Sequence, residues 1–209
     1  EGEAELAAAS EKQAAYARQG VASSVVDEAG LARLEPGLRR GLAGALYVPD
    51  DAVLYPPNAA RWLVARAVAL GADVRDRCVA EAIGPGWVRV RDRSGAASTI
   101  TAGAVVNAAG VDAPRLTPGL PVIPRKGHLV ITDRYPGLCR SQLVELGYLA
   151  SAHTMTGESV AFNVQPRATG QLLIGSSREL VGRDARVNDA VLRAMLRRAV
   201  EFIPARARF

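Results

Sequence analysis

The histidines and cysteines, two of each, fall into no working pattern in this sequence. His128 and His153 lack the i,i+4 spacing that puts two imidazoles on one helix face for a metal ion. Cys78 and Cys139 form no C-x-x-C pair and read as two thiols in a reducing compartment, so a cytoplasmic location is expected. A stretch without reactive side chains says more: Ala104-Val105-Val106-Asn107-Ala108-Ala109-Gly110, followed by Val111-Asp112-Ala113-Pro114. Its first half is apolar and β-branched, which suits a strand buried on both faces. It then falls to Ala-Ala-Gly, where no side chain exceeds a methyl and a ligand can come close to the backbone. In open α/β sheets ligands bind at the carboxyl ends of strands. The alternative is a tightly packed strand-to-loop corner with no ligand.

The chain is long enough, at 209 residues, for one large domain or two small ones. Its 49% hydrophobic and 22% charged content are ordinary for a globular protein. The net charge of +5 comes mainly from scattered arginines, with lysine only at Lys12 and Lys126. No basic stripe interleaved with aromatics is present, which argues against nucleic acid as a partner. No apolar run is long enough to span a bilayer, and no signal-peptide core opens the chain.

The elements that must position the Ala-Ala-Gly stretch follow from periodicity and caps. Residues 3–19 read as a helix ended by Gly20. Val21 to Val26 read as a short strand, and Asp27 as the cap of a helix running to Leu34. Leu42 to Val48 reads as a strand. Asn58 is expected to cap a helix with Trp62, Leu63, Ala65, Ala69 and Leu70 on one face, ended by Gly71. Ala72 to Arg75, Val79 to Ile83, Trp87 to Arg91, Thr99 to Thr101 and Ala104 to Val106 then read as strands. Val122 to Pro124, His128 to Thr132, Leu143 to Glu145, Ser159 to Val164 and Gln171 to Gly175 suggest antiparallel strands, with a hairpin link at 167–170. A last helix capped near Asn188 shows Leu192, Met195, Leu196, Ala199 and Ile203 at helical spacing.

In order along the chain, these segments resemble the FAD-dependent oxidoreductases of the D-amino-acid oxidase superfamily, which includes glycine oxidase, sarcosine oxidase and bacterial D-amino-acid and D-hydroxyproline dehydrogenases. Leu34-Glu35-Pro36-Gly37-Leu38 is similar to the segment before the substrate domain, and Tyr55-Pro56-Pro57 to the lead-in of the family's long helix. Gly71-Ala72-Asp73-Val74 with Cys78-Val79 resembles the strand pair beside the adenine. Val105 to Gly110 is similar to the VV-x-A-x-G signature, and Pro124-Arg125-Lys126-Gly127-His128 to P-x-[RK]-G. Gln165-Pro166-Arg167 with Gly170 and Leu173-Ile174-Gly175 resembles the family's hairpin.

The resemblance implies a mixed α/β fold: part of a Rossmann-like FAD-binding domain plus an antiparallel-sheet substrate domain. It assigns residues 1–40 to the junction of the two, 41–55 and 121–186 to the substrate sheet, 56–120 to the FAD-binding part and 187–209 to a helix on the substrate domain. It implies FAD contacts at Val79, Ala108, Ala109 and Gly110, with Lys126, Gly127 and His128 near the isoalloxazine. It implies substrate contacts at Phe162, Asn163 and Gln165, whose competing readings are core for Phe162 and solvent-facing for the two amides. The activity implied is oxidation of the C–N bond of a small amino or imino acid by hydride transfer to flavin. A same-fold enzyme oxidising a C–O bond and a non-catalytic module are the alternatives. The G-x-G-x-x-G phosphate turn does not occur in these residues, so the expectation is an internal piece of a longer enzyme, inactive alone. The apolar edge at 105–110 is then expected to be covered by a neighbour, by the amino-terminal helix or by a second copy.

Overall fold

Caps and turn residues set the first elements. The computed structural model describes residues 2–147 and 159–204, so His153 lies outside the described residues. The chain divides into two units, Glu1–Val53 with Arg125–Phe209, and Leu54–Pro124. In the first unit, α1 (Glu3–Arg18) ends just before Gly20, whose φ of 74° is left-handed. β1 (Ser24–Asp27) leads into α2 (Glu28–Leu34), where Asp27 Oδ1 accepts the Gly30 N–H at 2.7 Å. Replacing Asp27 with Ala is expected to cost about 1 kcal/mol, the usual worth of such a cap, read from the urea midpoint. β2 (Gly44–Tyr47) pairs antiparallel with β1.

The second unit opens with α3 (Pro56–Ala69), capped by Tyr55 rather than by Asn58. Proline has no N–H to lose at the first helical positions, so Pro56 and Pro57 start the helix early and leave Asn58 in its first turn. Ala72 to Arg75 forms no strand. β3 (Val79–Gly84), β4 (Trp87–Arg91) and β5 (Ala97–Thr101) make an antiparallel meander. The expected buried strand at 104–106 does not form: the segment pairs with no described strand, and Val106 is 86% exposed. A strand needs a neighbour for its N–H and C=O groups, and this run has none among the described residues. The apolar face of α3 is open in the same way, with Trp62, Leu63 and Leu70 exposed and no residue of the helix buried. A 3₁₀ turn (Gly110–Asp112) and α4 (Ala113–Leu116) close the unit.

Val122 to Pro124 is also irregular rather than a strand, because Pro121 and Pro124 supply no ladder N–H. Beyond it the first unit resumes with β6 (Val130–Arg134), β7 (Leu143–Val144), β8 (Ser159–Pro166) and β9 (Gln171–Arg178). They form one antiparallel sheet in the order β6-β9-β8-β7. The link at 167–170 is closed by Gly170 N–H to Arg167 O at 2.8 Å, with Gly170 at φ 84°. Where the β6–β9 register slips, the Thr132 hydroxyl accepts the Leu172 N–H and replaces a ladder bond.

α5 (Asp189–Phe202) is capped by Asn188, whose Oδ1 accepts from Ala190 and Val191. It buries Val191, Met195, Ala199 and Phe202 at helical spacing against the sheet, and Ala199 and Phe202 share one core with Val164, Leu172 and Ile174. Mixed helices and antiparallel sheets are therefore the architecture.

One buried carboxylate ties this core to the segment after α2. Glu35 is 2% exposed and accepts the N–H groups of Arg140 (3.0 Å) and Ser141 (2.5 Å). Gly37 lies against the Leu138 carbonyl with no room for a Cβ. Between them sits Cys139, whose thiol is pushed up to about 12 by burial, with the Glu35 charge adding to the effect. It therefore stays a thiol and unreactive at neutral pH. Iodoacetamide at pH 8 is expected to label half-buried Cys78 well before Cys139, as read by peptide mass spectrometry.

Candidate functional site

The segment Lys126–His128 is fastened to the end of β9 by its backbone. Lys126 and Glu179 exchange both main-chain hydrogen bonds, at 3.0 and 2.9 Å. The His128 N–H donates to Ser177 Oγ at 2.9 Å. A Cβ on Gly127 would stand 2.9 Å from the Ser177 carbonyl oxygen, so only glycine fits without a shift. Gly127 itself is exposed, while the side chains on either side of it turn inward.

Those side chains meet on Glu179, itself 1% exposed. Glu179 Oε1 accepts from Asn188 Nδ2 at 2.8 Å, and Oε2 faces Lys126 Nζ at 3.4 Å and His128 Nδ1 at 3.3 Å. The Asn188 hydrogen bond, with Lys126 and His128 beyond it, holds the Glu179 carboxyl below the usual carboxylate range. His128 Nε2 accepts the Asn188 backbone N–H at 2.9 Å, which assigns the ring proton to Nδ1. Lys126 Nζ also donates to the Arg186 carbonyl at 3.2 Å and lies 3.8 Å from Asp184. Asp184 is drawn down to about 2, chiefly by the Arg186 guanidinium. One signal for this network was legible: the family-like Lys-Gly-His run. Its partner Glu179 sits in no motif, and only the fold brings it there.

The sheet has two unlike faces. Val130, Ile174, Val164 and Leu143 form one cross-strand row toward the core. The opposite face carries the rows Val144–Asn163–Gly175, continued by Leu129, and Gln165–Leu173–Ile131. Leu129 (65%), Ile131 (59%) and Val144 (42%) are exposed on it, with the two amides between them. At Gly175 a Cβ would be 3.2 Å from Leu129 Cδ2. Phe162 goes the other way. Alternation puts it on the Val164 side, where it is buried and stacked on Phe202 at 4.2 Å between ring centres, and a bulge between Val160 and Asn163 lets Ala161 be buried beside it. Asn163 also borders a cleft of about 790 Å³ lined by Tyr16, Tyr47, Gln142 and Glu145, among others.

In the other unit, Val79 opens β3 and is 61% exposed. Asn107 organises the turn after it in sequence: Nδ2 donates to the Ala113 carbonyl (3.0 Å) and Thr117 Oγ1 (2.9 Å), and Oδ1 accepts the Ala109 N–H (3.3 Å). Ala108, Ala109 and Gly110 are exposed. Gly110 has φ 57°, and a Cβ built on it would meet nothing within 4 Å. This is bare backbone facing open space, and not a packed corner. Among the described residues no cluster of His, Cys, Asp and Glu could hold a metal ion, and no helix is long and apolar enough to cross a membrane.

Known proteins share this fold. Among solved structures, the glycine oxidase of Geobacillus kaustophilus superposes with a TM-score of 0.69 at 25% identity, over 90% of this chain and 48% of its own. The glycine oxidase of Bacillus cereus (TM-score 0.76, 20% identity, 98% and 53%) and the L-proline dehydrogenase of P. horikoshii (0.73, 20%, 89% and 49%) share the fold. The bifunctional protein ThiO/ThiG of Trichormus variabilis is 27% identical over 179 residues, 86% of this chain and 26% of that protein. The chain thus spans about half the length of the solved relatives and about a quarter of the curated one. The description "FAD dependent oxidoreductase" matches residues 1–209 throughout, and the chain belongs to that family, named DAO, with FAD as its cofactor.

Proposed function

We propose that this protein oxidises the C–N bond of a small amino or imino acid. The family match over the whole chain carries the reading, and the resemblance to a glycine oxidase at 25% identity favours a small amino or imino acid as the substrate class. Bound FAD would supply the two-electron acceptor for the hydride of the substrate α-carbon, while the proton on the substrate nitrogen leaves to solvent and water hydrolyses the imine product.

The residues present suit such a cofactor. Ala108, Ala109 and Gly110 offer exposed backbone with no side chain in the way, and Gly127 is exposed between two side chains that turn inward. In this reading they lie against FAD with Val79 on the adenine side, and Lys126 and His128 shape the flavin-side segment without reaching out of it. Asn163 and Gln165 supply hydrogen bonds to substrate on an otherwise apolar face, the usual make-up of a small-molecule pocket. Oriented binding and exclusion of water are their work; no side-chain base is assigned.

Anaerobic mixing of the natural full-length protein with single substrates tests this. Bleaching of the visible flavin band by small amino or imino acids is the expected result. Bleaching only by 2-hydroxy acids or glycerol 3-phosphate would instead assign C–O oxidation. The 209-residue chain by itself, which has no glycine-rich phosphate turn, is expected to purify colourless, to stay so when FAD is added, and to be inactive. Its open apolar surfaces at α3 and Val106 are expected to make it self-associate as concentration rises, read by sedimentation velocity.

A further inference from the structure

We propose that Glu179 is the positioning residue of the flavin-side segment, an inference that rests on the reading above. One buried carboxylate addresses both side chains flanking Gly127, with Lys126 Nζ and His128 Nδ1 at 3.4 and 3.3 Å from the same oxygen. Its other oxygen takes the Asn188 amide, and the Asn188 backbone N–H fixes the far nitrogen of the same imidazole. The path from Glu179 through His128 to Asn188 and back is a closed ring of contacts across three segments: the lead into β6, the end of β9 and the cap of α5.

Such a ring has two consequences. It draws both long side chains inward, so that what the segment presents outward is the Gly127 backbone. It also fixes the height of that backbone above β9, because Lys126 and Glu179 are joined by main-chain and side-chain contacts at once. The backbone ladder alone would still hold the segment to β9. Lys126 also reaches the Arg186 carbonyl, and His128 also meets Ser177 Oγ at 3.1 Å and the Asn188 N–H; the carboxylate adds the one charge that faces both side chains from the same side. Asp184, the remaining acidic partner of Lys126, is farther away at 3.8 Å and more exposed. A site whose supporting shell is loosened binds and tunes its ligand poorly even when the shell never touches the ligand.

The test uses the natural full-length protein carrying Glu179→Gln, which keeps an acceptor for Asn188 and removes the charge. FAD is stripped and titrated back by quenching of flavin fluorescence, and the visible spectrum of bound flavin is recorded. The expected result is FAD binding weaker by about tenfold, the scale seen when an outer-shell partner is lost at metal centres, together with a shifted flavin band. Lys126→Met, read in the same way, serves if the first variant does not fold, and the same weakening is expected. Wild-type FAD affinity and spectrum in the folded variants, whatever their melting temperatures, would overturn the proposal and leave Glu179 a purely structural residue. The two readings fail separately. If Glu179→Gln weakens FAD while no amino or imino acid bleaches the wild-type flavin, the positioning role stands and the substrate assignment falls.

Discussion

Replacing Glu35 with Ala is expected to lower the stability of the unit that holds the sheet by about 3 kcal/mol, a large share of what a domain has. The carboxylate accepts two backbone N–H groups, from Arg140 and Ser141, in a setting where Glu35 itself is 2% exposed. Hydrogen bonds to a charged group are each worth about 1.5–3 kcal/mol, and removing the acceptor leaves the donors partly buried and unmet. The neighbouring Cys139 does not replace it, because its Sγ–H is donated to the Ser141 carbonyl at 3.0 Å. Glu35→Gln keeps one acceptor oxygen and is expected to lose roughly half as much. The measurement is urea denaturation followed by circular dichroism, with the midpoint converted through a common slope. Equal stabilities for Ala and wild type would mean that water satisfies the two amides as well as the carboxylate does. Gly37→Ala gives an independent check on the same contact, since its Cβ would meet the Leu138 carbonyl, a backbone atom that cannot swing aside.

That contact shows where sequence reading succeeds and where it stops. Leu34-Glu35-Pro36-Gly37 was recognisable as a family-like string, but nothing in it says that the glutamate faces two amides a hundred residues on. Local signals were read well where local physics decides: Asp27 and Asn188 cap their helices, and Gly20 and Gly170 sit in left-handed turns. Asn58 misled because two prolines just before it start the helix sooner. The run at 104–106 has the composition of a buried strand, yet composition states only a preference for partners, and the described residues offer none. The family resemblance implies substrate contacts at Phe162, Asn163 and Gln165, with core as the competing reading for Phe162. Strict alternation already sets it opposite them, and a one-residue bulge, invisible in composition, buries Ala161 beside it. Glu179 carries no sequence signal for a different reason. A lone glutamate at a strand end looks like solvent-facing charge until the fold brings Lys126, His128 and Asn188 to it.

Gly110→Val in the natural full-length protein is expected to weaken FAD binding far more than its backbone strain weakens the fold. The residue sits at φ 57°, and a Cβ there meets no atom within 4 Å, so the penalty is backbone strain of about 1–2 kcal/mol without any clash. What the substitution does change is the outward surface. A branched side chain would stand on the one part of the turn where Ala108, Ala109 and Gly110 otherwise present only backbone and methyl groups. If a dinucleotide lies there, the added carbons hold it off, and affinity should fall on the order of a hundredfold. Strain and obstruction are separable through Ala109→Val. Ala109 has φ −78°, which any residue adopts, and its N–H bond to Asn107 Oδ1 involves only backbone on its own side. That variant should weaken FAD binding with almost no change in melting temperature of the apoprotein. Fluorescence titration with FAD, paired with melting curves of the FAD-free proteins, reads both effects. Should both valine variants bind FAD as the wild type does, the turn at 108–110 does not face the cofactor. Its small residues would then need another explanation, the first being that the Asn107-centred turn, held by Ala113 and Thr117, selects them for its own geometry.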